Sequence, residues 1–228
     1  MVTTDSSLKS QKREIPVPKT ARYFVAGEIK KNTRKLWLVL HGYGMLAEFF
    51  IRKFDALVDE DSAVIAPEGM HRFYLEGTSG RVGASWMTKD DRSVDIDDNM
   101  SYLNALMEKV YREVHPEVSV FILGFSQGCP TAARYAMQAD KLPRAFIGYA
   151  SDIPLDTLDT VEKLKKWESM KVCLAIGDND PYISIDRITT HLEELKKAIP
   201  HLLYLSYAGD HRVLPEPLHK IKLACLST

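Results

Sequence analysis

The chain has 228 residues and a formal net charge of −1 at pH 7, with 45% hydrophobic and 27% charged residues. Such a chain buries a core without needing disulfides or metals, and its composition is that of a water-soluble globular protein. The near-zero charge, with no basic stripe interleaved with aromatics, removes the footprint of a nucleic-acid partner or an acidic membrane.

Residues 1–19 are polar with two prolines and read as a flexible N-terminal arm. The first twenty residues hold no apolar h-region, so no secretory signal is expected. No apolar run approaches the length of a membrane span. A cytoplasmic protein is therefore expected, with residues 20–228 forming one domain.

Tyr23, Phe24 and Val25 suggest an edge strand within 20–28. Residues 36–40 (LWLVL) are continuously apolar and run into His41-Gly42-Tyr43-Gly44, as a buried parallel strand ending in a loop would. Phe50, Phe54, Leu57 and Val58 predict an amphipathic helix over 47–58. Residues 62–67 (SAVIAP) read as a strand. The stretch 68–98, with four glycines and Trp86, reads as a long irregular loop near the site. Ile96, Met100, Leu103, Leu106, Met107 and Val110 predict a helix over 95–113. Further strands are predicted at 118–123, 145–149, 172–176 and 202–207. Helices are predicted at 127–137, 157–167, 186–198 and 215–226. This alternation predicts a mostly parallel sheet covered on both faces.

Cys129, Cys173 and Cys225 are too few and too widely spaced for a disulfide framework or a C-x-x-C site. Cys173, in an apolar run, reads as a small buried hydrophobe. The acids Asp90, Asp91, Asp95, Asp97 and Asp98 lack the glycine and distal glutamate of an EF-hand calcium loop. They suit the positive end of the following helix instead. No metal and no organic cofactor is expected.

The strand at 118–123 leads into Gly124-Phe125-Ser126-Gln127-Gly128, and a helix follows. Strand, Gly-x-Ser-x-Gly, helix is the setting of a nucleophile elbow. The turn strains the serine backbone, and the flanking glycines avoid a Cβ where the chain is crowded. Three specified positions are a short pattern, so downstream partners decide its meaning. In open α/β sheets the ligand site lies beyond the carboxyl ends of the strands. Four predicted strands end there in His41-Gly42-Tyr43-Gly44, in Ser126, in Asp178 or Asp180, and in His211. A serine needs a base to become nucleophilic, histidine titrates near neutrality, and a carboxylate fixes its tautomer. The order Ser, Asp, His is that of α/β-hydrolases. Asp178, beside Gly177, also suits a turn residue, while Asp180 precedes Pro181 and is biased to an extended or turn conformation. The glycines at 42 and 44 let the loop approach a ligand, so the Tyr43 N–H can face a developing oxyanion, with the Gln127 N–H as its companion. His41 reads as a residue that holds this loop. His71, His115, His191, His201 and His219 read as solvated.

The stretches LVLHGYG (38–44), ILGFSQG (122–128), GDNDP (177–181) and the segment around His211 resemble the phospholipase/carboxylesterase group of α/β-hydrolases. That group includes acyl-protein thioesterases and small bacterial serine esterases. The resemblance implies an α/β-hydrolase fold, with a mostly parallel central sheet, helices on both faces and no large cap domain. It places the nucleophile on Ser126, the acid on Asp180, the base on His211, and the oxyanion donors on the N–H groups of Tyr43 and Gln127. It puts a loop tryptophan at Trp86, which either lines an acyl pocket as a substrate-binding residue or anchors the loop. Cys129 stands where a second glycine is common, Asp-x-x-Gly is missing after Gly44, and Met87-Thr88 replaces an aromatic-acidic pair. With these departures the expected activity is carboxylesterase hydrolysis of a small-molecule ester by a monomer or homodimer. An acyl-thioesterase, a lysophospholipase or an amide hydrolase on the same triad is the alternative. A hydrolase-like binding module would have no physical need for a complete triad.

Overall fold

The computed structural model describes residues 10–227, apart from the side chains of 185–187. Of the arm expected over 1–19, residues 1–9 lie outside the described residues. Residues 10–19 are exposed and form neither helix nor strand.

The strands in chain order are β1 (Tyr23–Ala26), β2 (Lys35–Leu40), β3 (Ser62–Pro67), β4 (His71–Glu76), β5 (Ser79–Ser85), β6 (Ser119–Phe125), β7 (Ala145–Tyr149), β8 (Lys171–Gly177) and β9 (Leu203–Tyr207). Seven of them form one sheet in the order β1-β3-β2-β6-β7-β8-β9. Only β1 runs antiparallel to its neighbour. The helices are α1 (Ala47–Phe50), α2 (Arg92–Tyr111), α3 (Gly128–Gln138), α4 (Val161–Glu168), α5 (Ile185–Ala198) and α6 (Pro215–Leu226).

Strand periodicity divides the core into two layers. On β2, Leu36, Leu38 and Leu40 face a layer completed by Met100 and Leu103 of α2, Ala132 of α3, Trp167 of α4 and Leu195 of α5. Trp37 and Val39 face the other layer, with Phe50, Phe54, Leu218 and Ile221. Across the β2–β6 register Trp37 stacks on Phe121 with ring centroids 4.4 Å apart. The continuous apolar runs are thus two-sided burial, the expected mostly parallel sheet covered on both faces.

Three expectations are corrected. Residues 47–58 are not one helix: α1 makes a single turn and passes into a 3-10 helix over Ile51–Leu57, with Phe54 at φ −114°. Phe49, Phe50, Ile51 and Phe54 are weak helix formers, so packing of the buried ones decides the backbone there. Residues 157–167 begin irregularly, and α4 starts at Val161, where the Thr160 side chain accepts from the Lys163 N–H. Residues 68–98 are not an irregular loop. They contain the β4–β5 hairpin and the first turns of α2. Both faces of β4 are largely exposed, so it lacks the apolar alternation that marks a half-buried strand.

Cys129, Cys173 and Cys225 are unpaired and buried. Burial pushes the Cys173 thiol up to about 12, which makes it an inert packing group. Among the described residues no helix is long and apolar enough to cross a membrane.

Candidate active site

Because β2, β6, β8 and β9 run parallel, their carboxyl ends share one edge of the sheet. β6 ends at Phe125, and Ser126 turns the chain with φ +50°, the left-handed region that L-residues avoid. Its N–H donates to the Tyr149 carbonyl at 2.9 Å, and its own carbonyl accepts from the Cys129 N–H at 2.9 Å. The flanking glycines are required by contact. A Cβ on Gly124 would lie 2.3 Å from Cys129 Cα, and one on Gly128 2.4 Å from the Leu40 carbonyl oxygen. β6, α3 and β2 therefore close around the serine only with glycine at both positions. Strain of this kind persists where surrounding structure over-determines the backbone.

Ser126, Asp180 and His211 come together. His211 Nε2 lies 2.9 Å from Ser126 Oγ, and Nδ1 lies 2.7 Å from Asp180 Oδ2. A carboxylate only accepts, so Nδ1 carries the proton and Nε2 is left to receive one from the serine hydroxyl. The Asp180 side chain is fully buried, and its Oδ1 accepts from the Tyr182 N–H at 2.9 Å. Phe125 and Tyr182 flank the His211 ring, at 5.0 and 4.7 Å between centroids. Asp178 is exposed instead, and its Oδ1 accepts from the Gly209 N–H at 3.0 Å, which makes it the turn residue of the pair.

The loop after β2 lies against the serine. A Cβ on Gly42 would sit 3.2 Å from Ser126 Cβ. The N–H groups of Tyr43 and Gln127 have no hydrogen-bond acceptor among the described residues, as befits free donors beside a helix N-terminus and a turn. The loop is braced from beneath. Buried His41 donates from Nδ1 to the Gly42 carbonyl at 2.7 Å and accepts at Nε2 from the Gly69 N–H at 2.9 Å. Desolvation holds its pKa down, so it is a neutral brace. The Gly44 N–H donates to the Ala84 carbonyl of β5 at 2.9 Å, docking the hairpin on the loop.

Trp86 is a correction. Its side chain is fully buried and it does not border the cavity beside Ser126. Its Nε1–H donates to the His41 carbonyl at 2.8 Å, and its ring lies 5.1 Å from the His41 ring. An aromatic whose area and single donor are both used inside the core is an anchor for the loop, not a wall for substrate.

The Gln127 side chain has a part that sequence did not suggest. Its Nε2 donates to the Met87 carbonyl at 2.8 Å and to Ser85 Oγ at 3.0 Å, while its Oε1 accepts from the Trp86 N–H at 3.1 Å. The elbow thus clamps the segment that follows β5. Gln127→Ala keeps the backbone N–H and removes the clamp. We expect a loss of about 1–3 kcal/mol in unfolding free energy, read as a lower denaturant midpoint at constant slope. An unshifted midpoint would show the clamp to be idle.

A cavity of about 250 Å³ opens beside Ser126 and His211. Its walls include Pro130, Ile183, Ile188, Asp152, His191 and Tyr182. His191, expected to be solvated, is corrected to a wall residue whose side chain is only 17% exposed. Tyr182 could have been found from its place two residues after Asp180. Asp152 and His191 had no such signal, because a loop and a helix bring them together only in the fold. Among the described residues no three of His, Cys, Asp and Glu gather where they could hold a metal ion.

The profile of the phospholipase/carboxylesterase family matches residues 22–224. Curated proteins give no match. Among solved structures the chain is similar to Zea mays acyl-protein thioesterase 2, with 19% identity, a TM-score of 0.70, and coverage of 91% of this chain and 100% of that one. It is similar to esterase PE8 at 18% identity and a TM-score of 0.65, covering 90% and 98%. It is similar to the Bacillus cereus carboxylesterase at 16% identity and a TM-score of 0.63, covering 90% and 93%. At these identities the structural likeness speaks for the fold, which is that of α/β-hydrolases.

Proposed function

The chain belongs to the phospholipase/carboxylesterase family, and from that premise we propose that it is a serine hydrolase that cleaves small carboxylic esters through an acyl-enzyme on Ser126. The observation that carries this reading is His211 bridging Ser126 Oγ and Asp180 Oδ2 at 2.9 and 2.7 Å.

His211 Nε2 takes the Ser126 proton as Oγ attacks the ester carbonyl. The carbonyl π pair moves onto oxygen, and that oxyanion accepts from the N–H groups of Tyr43 and Gln127. One such donor is worth about 2.7–4 kcal/mol of transition-state stabilisation. Asp180 holds the imidazolium, whose proton then passes to the leaving alcohol as the ester C–O bond breaks. His211 next takes a proton from water, whose oxygen attacks the acyl carbon, and returns it to Ser126 as the acid departs. The hairpin, His41, Trp86 and the Gln127 side chain hold these groups before substrate arrives, which is how a site lowers reorganisation cost.

A fluorophosphonate probe is expected to label the protein at Ser126, found by peptide mass mapping, and to stop hydrolysis of a p-nitrophenyl ester. Labelling at another residue, or none, would remove the serine from this role. Likeness to a thioesterase structure supports a second reading, acyl-thioester hydrolysis on the same triad. Turnover of an ester and a thioester of the same acyl group separates the two.

A further inference from the structure

Asp152 and His191 share the cavity wall with Ser126 and His211. Asp152 lies in the loop after β7, and His191 in α5. His191 Nε2 is buried and has no hydrogen-bond partner among the described residues. Asp152 Oδ2 lies 3.8 Å from it. That is too long for a hydrogen bond and is the spacing that one bridging polar atom spans. Buried polar atoms are rarely left unmatched, so an unmatched nitrogen on a cavity-lining residue asks what a bound molecule would offer it.

The loop carrying Asp152 is tied to the elbow. Cys129 Sγ, three residues beyond Ser126, donates to the Asp152 carbonyl at 3.2 Å. The sulfur that departs from the family's usual glycine therefore sets Asp152 in register with the serine.

The charges restrict the ligand. Glu194 Oε2 lies 3.9 Å from His191 Nδ1, so carboxylates stand on both sides of the ring. Among the described residues no lysine or arginine lines the cavity. An anionic substituent would meet the like charge of Asp152. A bare alkyl end would desolvate Asp152 and His191 and give them nothing. A hydroxyl donates its one proton to the carboxylate and accepts from the imidazole in the tautomer that carries its proton on Nε2. The other wall residues, Pro130, Ala150, Ile183 and Ile188, suit a short aliphatic spacer. At about 250 Å³ the cavity is smaller than the roughly 300–1,000 Å³ of sites that engulf drug-sized ligands.

Resting on the esterase reading above, we propose that Asp152 and His191 form a specificity subsite for a hydroxyl on the cavity-bound part of the ester. The substrates are short esters with a hydroxylated acyl or alcohol chain.

Wild-type protein is assayed on p-nitrophenyl esters of short straight-chain acids and on their ω-hydroxy, ω-ammonio and ω-carboxy counterparts. Butyrate esters of matched alkanols and alkanediols test the alcohol side. The hydroxylated ester is expected to exceed its alkyl match by about tenfold in kcat/KM in one of the two series, chiefly through KM, and the ω-carboxy ester to be slowest. Asp152→Ala and His191→Phe should each bring the hydroxyl-to-alkyl ratio close to one while Ser126 still labels with fluorophosphonate. Wild-type turnover of alkyl esters as fast as hydroxylated ones overturns the subsite and leaves the esterase reading standing. So does a faster ω-ammonio ester, or an Asp152→Ala ratio equal to wild type. Absence of both ester turnover and labelling in the wild type overturns the two readings together.

Discussion

Ser126→Ala is expected to lower kcat for ester hydrolysis by about 10⁶-fold, the scale at which loss of a triad nucleophile leaves only the oxyanion hole and binding. The loss should come without unfolding, because Ser126 Oγ bonds to His211 and not to the core. The elbow supplies a second, independent readout. At φ +50° an L-residue bears about 1–2 kcal/mol of strain that glycine escapes. Ser126→Gly should therefore be as inactive as Ser126→Ala and yet melt at or above it, the gain being reduced by the entropy of glycine in the unfolded chain. Turnover by Ser126→Ala near that of wild type would sink the nucleophile assignment. A Ser126→Gly protein markedly less stable than Ser126→Ala would sink the strained elbow.

Asp180→Asn is expected to cost about 10⁴-fold in kcat, since an amide that donates toward His211 Nδ1 selects the wrong imidazole tautomer. The carboxylate is fully buried and held by the Tyr182 N–H, so no neighbouring acid can swing in to replace it. Asp178→Asn, two residues away, is the control. Its Oδ1 accepts from the Gly209 N–H, and an asparagine oxygen can do the same, so kcat should change less than about tenfold. Similar losses at both positions would mean that neither holds His211 alone.

These two carboxylates show how far sequence carries. Both follow β8 within three residues of Gly177, and residue types alone left them open. Resemblance favoured Asp180, and the fold separates them by burial. His41 was legible for a related reason: it leaves a fully apolar strand, and a histidine there has to satisfy both ring nitrogens inside the protein, as Gly42 and Gly69 do. Trp86 was not legible. A tryptophan in a glycine-rich stretch suits a pocket wall and a core anchor equally, and only the His41 carbonyl waiting for its N–H decides. The β4–β5 hairpin was missed because its exposed face carries no apolar alternation, while its docking to Gly44 and Met45 involves backbone groups, which have no signature in residue type.

What the sequence determined by itself are features written in neighbouring residues. The two-sided apolar strands, their alternation with helices and the glycines around Ser126 all follow from local sterics and periodicity, while Ser126, Asp180 and His211 were picked out by chain order and resemblance. Only the tertiary structure decided what depends on residues far apart in the chain: which aspartate is buried, what Trp86 and Gln127 hold, and how Cys129, Asp152 and His191 meet beside the serine. A helix or strand period fixes which face a side chain takes. It does not fix which distant element that face meets, and a cavity wall is made of such meetings.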